Sequence, residues 1–222
     1  MGLRSALLLP ALALAVAAAA QSSGGVLRAE FWTDRDLPPR AGEVYPLPDS
    51  VAAARVLDEA AWVFAGMIEG FSFDWIPENK GRQVKESFVL TPATSIAPGD
   101  PRLVPGPAAK TSTRLGAWID FRLDATDRLS LNSTLSPDWK SAQGRGAASR
   151  SLGPEGRRQA YVAAAKAALE SWERSAEPQR PDEIKGRLVF ESVPIVGVVE
   201  NAWVVSLRVR LQVLDTRRWF LF

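Results

Sequence analysis

The 222-residue sequence contains no cysteine and no histidine. Without cysteine there is no disulfide, no thiolate nucleophile and no thiolate metal ligand. Without histidine, Ser-His-Asp and Cys-His catalysis, imidazole bases and nearly all zinc sites are excluded. An enzyme of this composition would work with carboxylates, Lys, Tyr, Ser or a carboxylate-held metal. Net charge is also scarce, with 27 Lys and Arg against 25 Asp and Glu. Arg4 is the one charged residue among the first twenty, so a chain trimmed after them carries 26 basic residues against 25 acidic. That leaves no basic field of the kind that gathers nucleic acid, and no nucleic-acid partner is expected. The apolar run 6–20 is mostly alanine and broken by Pro10. It falls short of the ~20 strongly apolar residues that a membrane-spanning helix requires.

What that run does supply is a targeting segment. Arg4 precedes it, and Ala17, Ala18, Ala19 and Ala20 offer small residues ahead of polar Gln21, Ser22 and Ser23. This is the layout of a secretory signal peptide, with cleavage expected near Ala20. No cysteine follows the run to carry a lipid. The expected division is a signal peptide at 1–20, a linker and Pro-rich strap at 21–49, and a single α+β domain at 50–222. The expected location is exported, periplasmic or envelope-associated. Membrane association is compatible with that location, but no transmembrane helix remains after cleavage.

Residues 200–214 alternate without a break. Trp203, Val205, Leu207, Val209, Leu211 and Val213 share one parity, while Ser206, Arg208, Arg210 and Gln212 share the other. A period of two predicts a long strand with one buried and one wet face. Shorter strands are predicted at 27–32, 71–75, 84–90, 115–123 and 186–193. Helical spacing predicts helices near 51–69 and 155–176, the first capped by Asp49 or Ser50 and the second opening at Pro154. On the first, Ala54, Leu57, Ala61, Phe64 and Ile68 form the expected buried face, with Arg55, Asp58 and Glu59 outward. Residues 91–110, with five prolines, and 125–153, rich in Ser, Gly, Ala and Arg, read as long connections. The expected fold is α+β, a single antiparallel sheet of four to six strands with two helices packed on one face.

The stretch 140–158 (KSAQGRGAASRSLGPEGRR) concentrates Lys140, Arg145, Arg150, Arg157 and Arg158 against one acid, Glu155. Read as a Gly-rich loop entering a helix N-terminus, it is the candidate ligand-binding site for an anion. Arginines grip carboxylate or phosphate through two parallel hydrogen bonds. A second basic set, Arg187, Arg208 and Arg210, is expected on the wet face of the sheet. The run lacks the P-loop pattern, and no cofactor fingerprint or metal spacing occurs, so no cofactor and no metal are expected. Candidate acids Asp74, Glu78, Glu86, Asp100, Asp120, Asp138 and Glu191 form no motif.

Two stretches, FAGMIEGFSF (64–73) and SAQGRGAASRSL (141–152), resemble small secreted spirochaete proteins of unknown function. The resemblance implies an envelope location and carries no activity and no site residues.

The functional expectation is a non-enzymatic cell-envelope binding or assembly protein. Its partner would be another envelope protein or an anionic envelope component. The alternative is a carboxylate-based hydrolase or lyase acting on cell-wall glycans.

Overall fold

The computed structural model describes residues 25–36, 42–176 and 181–218; the expected signal peptide lies outside them. In chain order the elements are β1 (Val26–Asp34), α1 (Asp49–Ile68), β2 (Phe71–Ile76), β3 (Ser87–Pro92), β4 (Leu103–Lys110), β5 (Arg114–Arg122), α2 (Ala125–Ser133), β6 (Lys140–Ser149), α3 (Pro154–Ala176), β7 (Glu183–Phe190), β8 (Ile195–Val199) and β9 (Ala202–Arg217). The class is α+β with antiparallel ladders. In place of one sheet and two helices, the described residues form two sheets and three α-helices. One sheet has the order β1-β5-β4, and the other runs β3-β2-β7-β9-β6 with β8 also paired to β9.

The long alternating strand organises the larger sheet. β6 pairs with one edge of β9 along residues 202–211. β7 and β8 share the other edge in tandem. Trp203, Val205, Leu207, Val209 and Leu211 are buried as their parity predicts. The alternation breaks after Val213, because Lys185 and Gly186 pair with Asp215 and Val213 and leave Leu214 as an extra residue. Leu214, which shares the wet parity of Arg210 and Gln212, is exposed. Such a bulge costs one ladder pair and turns the strand.

Both long helices lie on the inner face of this sheet. Phe190 pairs with Val209 and so points to the same side; its ring meets Trp62 of α1 at 5.5 Å and Tyr161 of α3 at 6.4 Å. The three-stranded sheet covers another side of α1, where Phe64 sits between Phe31 at 5.4 Å and Phe121 at 5.9 Å. Cover from several sides widens the buried face of α1. Val56, Glu59, Ala60, Val63, Phe64 and Met67 are buried, whereas Ala54 is exposed and Leu57 only partly covered. Glu59, expected outward, is therefore inside.

Two further expectations change. Neither Asp49 nor Ser50 caps α1; Pro48 holds the cap position without a side-chain bond. Asp49 lies in the first turn, where its charge complements the helix dipole, and it pairs with Lys110 at 2.6 Å and Arg35 at 2.9 Å. The two expected connections also contain regular structure. The prolines of 91–110 leave room for β4, an edge strand whose register shifts between Pro105 and Ala108. An edge position tolerates proline because one row of N–H groups has no ladder partner. Residues 125–153 hold α2, opened by a capping box between Asp124 and Asp127, and the ten-residue strand β6.

Candidate functional site

The N-terminal halves of α1 and α3 border a cavity of about 300 Å³. Each helix contributes a stripe at helical spacing: Val51, Ala54, Arg55, Asp58 and Glu59 from α1, and Pro154, Arg157, Arg158 and Tyr161 from α3. Residues three or four apart share one helix face, so each stripe follows from register alone. Thr33 at the end of β1 and Trp203 at the start of β9 complete the wall.

The floor is a buried polar cluster. Glu59 and Arg157 are both under one tenth exposed. Arg157 Nε lies 2.7 Å from Glu59 Oε1, and the Tyr161 hydroxyl donates to the same oxygen at 2.6 Å. Arg157 Nη1 donates to the Trp32 carbonyl at 2.6 Å. Its guanidinium also lies 4.5 Å from the Trp32 ring centre and 5.0 Å from that of Trp203. Burial pushes the Glu59 carboxyl above the ordinary carboxylate range, and Arg157 and the Tyr161 hydroxyl counter it only in part. Burial beside Glu59 holds the Tyr161 phenol well above its usual value.

The rim is wetter. Arg158 pairs with Asp58 at 3.2 Å and stacks 4.2 Å over Trp62. Burial lowers the Arg158 pKa despite Asp58, whose side chain is 64% exposed. Arg55 pairs with Glu43 at 2.6 Å. Each of the three arginines thus has a carboxylate, yet each keeps one buried nitrogen without a hydrogen-bond acceptor: Arg55 Nη1, Arg157 Nε and Arg158 Nη1. Arg157 Nε touches Glu59 without directing its hydrogen at the oxygen.

The five cations singled out in the sequence do not converge. Arg157 and Arg158 line the cavity. Arg150 turns away to Asp34, giving it two bonds of 3.0 and 2.7 Å. Arg145 is exposed on β6, and Lys140 donates to the Pro137 carbonyl at 2.7 Å. Gly144 and Gly146 face α3, so Arg145, between them, points to the opposite side of the sheet. There it joins the second basic set. Glu191 takes Arg210 at 3.3 Å and Arg208 at 3.7 Å, while Arg187 lies 5.9 Å from the Trp139 ring centre. The two sets therefore occupy opposite faces of the six-stranded sheet.

The candidate acids are scattered and mostly held by cations: Asp120 by Arg28, Asp100 by Arg102, Asp74 by Lys185 and Glu86 by Lys166. Arg55, Asp58 and Glu59 escaped the sequence reading because helical periodicity reports one apolar face. It says nothing about a second helix laid against the polar one. Tyr161 is part of the core, with a hydroxyl that completes the cluster. Among the described residues no three acidic side chains gather closely enough to hold a metal ion, and no helix is long and apolar enough to cross a membrane.

A protein-family model matches residues 15–219, and the chain belongs to that family. The chain is 27% identical over 147 residues to an uncharacterized protein of Treponema pallidum (strain Nichols). The aligned stretch covers 66% of this chain and 62% of the relative, just under two thirds of the relative's length. The resemblance to uncharacterised spirochaete proteins thus stands. No solved structure matches the chain.

Proposed function

We propose that this protein is a non-enzymatic envelope-binding module that takes an anionic group into the cavity between α1 and α3. The observation that carries the reading is the convergence of three arginines, Arg55, Arg157 and Arg158, on one cavity. Apolar lining from Val51, Ala54, Pro154 and Trp203 together with the arginines suits a ligand with an anionic head and an apolar body. Of the five cations read from the sequence, Arg157 and Arg158 remain in this site. An exported location, with an envelope component as partner, fits the targeting segment at the N-terminus.

The test is calorimetric titration of the full chain with octanoate and hexyl phosphate, beside neutral octanol. Saturable binding of at least one anion is expected, falling with added salt and weakened at least tenfold by Arg158→Gln. Arg145→Ala, on the far face of the sheet, should leave it unchanged. Binding equal for octanol and the anions, or indifferent to Arg158→Gln, would refute the anion pocket.

A second reading rests on Asp58 and Glu59 lining one cavity, the latter buried. Two carboxyl groups facing one cavity, one of them buried with a raised pKa, are the minimum a glycosidase requires. Here each acid holds an arginine, which favours the binding role. Cleavage of cell-wall glycans by the purified chain, abolished by Glu59→Gln, would reverse that preference.

A further inference from the structure

We propose that a second cleft, between the outer face of the three-stranded sheet and β8, binds a free α-amino acid, with its carboxylate on Arg114 and its ammonium group on Glu30. This cleft shares no lining residue with the α1–α3 cavity. The assignment stands apart from the anion-pocket reading and survives its failure.

Strand alternation builds the floor. β1 turns Leu27, Ala29 and Phe31 into the core, so Glu30, Trp32 and Asp34 face the other way. β5 runs antiparallel beside it and sets Trp118, Gly116 and Arg114 opposite those three. Residues opposite each other in a ladder share one face of the sheet. Thr111 and Thr113 of the β4–β5 turn and Val198 of β8 form walls. The turn is fixed: the Arg114 amide donates to Thr111 Oγ1 at 2.9 Å, and the Arg35 amide donates to the Thr113 carbonyl at 2.8 Å.

Four charged residues line the cleft, and two of them satisfy each other. Buried Asp34 accepts two hydrogen bonds from Arg150. Arg114 and Glu30 remain. Arg114 Nε stands 3.8 Å from Asp34, beyond hydrogen-bond range, and its side chain is 50% exposed. Its guanidinium lies 3.7 Å over the ring of Trp32, which is itself set against Trp203 at 5.7 Å and Arg157 at 4.5 Å. A guanidinium stacked on an aromatic face keeps its N–H edge free for a carboxylate. Exposed Glu30 reaches toward Gly116, with Oε1 3.5 Å from the place a Cβ would take there. Gly116 stands opposite Trp32. The two charged heads therefore flank one strip of floor that carries no side chain on the β5 side. Among the described residues nothing accepts a hydrogen bond from the Arg114 guanidinium, nothing donates one to the Glu30 carboxylate, and the two form no ion pair with each other. A ligand with one charge of each sign on a single carbon satisfies both. A plain anion would meet Glu30 and a plain cation would meet Arg114, each at an electrostatic cost.

The experiment is calorimetric titration of the full chain at pH 7 with L-alanine, D-alanine and L-leucine, each beside its N-acetyl and its amide form. Acetylation removes the ammonium group and amidation removes the carboxylate. At least one free amino acid is expected to bind saturably, at least tenfold more tightly than either of its blocked forms. Glu30→Gln and Arg114→Gln should each weaken that binding at least tenfold. A Cβ on Gly116 would meet its neighbours at 3.5–3.6 Å, which is ordinary contact, so Gly116→Val fills the floor without forcing the strand apart and should block the ligand. Each variant is first checked for an unchanged urea midpoint, and the comparison of free with blocked ligands needs no variant. Arg158→Gln, which weakens the other cavity, should leave amino-acid binding as it is. If none of the three amino acids binds, if a blocked form binds as tightly as the free one, or if binding persists in a folded Gly116→Val, the assignment falls and the anion pocket is untouched. Loss of binding in Arg158→Gln would move the amino acid to the α1–α3 cavity and overturn the assignment as well.

Discussion

Two buried side chains show how position sets energetic weight. Phe64 is fully buried, with Phe31 edge-on at 5.4 Å and Phe121 stacked at 5.9 Å. Truncation leaves a cavity between a helix and a sheet that cannot collapse onto each other, so Phe64→Ala should cost about 3–5 kcal/mol in urea melts. A loss below about 1 kcal/mol would mean that the α1 face is not packed as described. Glu59 makes a different kind of claim. Its carboxyl pKa is raised in the fold by burial. Below the unfolded value of ~4.3 both states hold the proton and nothing is gained or lost. As pH rises above it, the unfolded chain releases the proton first, so the fold loses stability until pH passes the raised value. Wild type should therefore lose stability relative to Glu59→Gln as pH rises from about 4.3. The paired carboxylates, such as Asp100 and Asp120 with lowered values, act in the opposite sense but are common to both proteins and cancel. Parallel stability curves for the two proteins across that range would show that Glu59 titrates as it does in the unfolded chain.

Strand β6 and its helix α3 explain what the chain disclosed and what it concealed. The run 140–149 holds Gly144, Gly146 and three alanines, a composition that ordinarily marks a loop. Here it marks a close approach. A Cβ on Gly144 would fall 2.2 Å from the Ala164 carbonyl oxygen, and one on Gly146 would fall 2.2 Å from the Ala164 nitrogen. The small residues let the backbone of α3 rest directly on the strand, with Ala160, Ala164 and Ala168 as the matching face. Only the facing helix turns these glycines from loop formers into packing surface, and one-dimensional spacing cannot supply that helix. The same applies to Glu59 and its neighbours. By contrast, β9 was legible because six apolar residues at period two leave no other solution, and the start of α3 because Pro154 suits a first helical position. Gly146→Ala should cost about 1–3 kcal/mol or more, since the clash is with backbone that cannot step aside. The same urea melts measure it, and a neutral substitution would show that α3 stands further from β6.

At the scale of the molecule, the question is whether two separate sheets behave as one body. α1 lies against both: Phe64 reaches the three-stranded sheet, and Trp62 packs on Phe71 and Phe190 of the six-stranded one. Polar ties cross the same boundary. Arg157 of α3 donates to the Trp32 carbonyl of β1, and Arg150, just past β6, clasps Asp34 at the end of β1. Asp34 is buried, with Arg114 at 3.8 Å as its other ionic neighbour. Removing Arg150 leaves that carboxylate poorly satisfied, a loss of about 1–3 kcal/mol. A core shared through one helix has no plane along which to separate cheaply. Far-UV circular dichroism and tryptophan fluorescence should therefore report coincident unfolding transitions in wild type. Arg150→Ala should move that transition to lower denaturant without splitting it. In a cycle with Asp34→Ala, the double variant should lose less than the two single losses combined, because the second truncation removes the stranded charge. Two resolved transitions in Arg150→Ala, one carried by fluorescence and one by circular dichroism, would mean that the sheets melt as independent units and that α1 belongs to one of them alone.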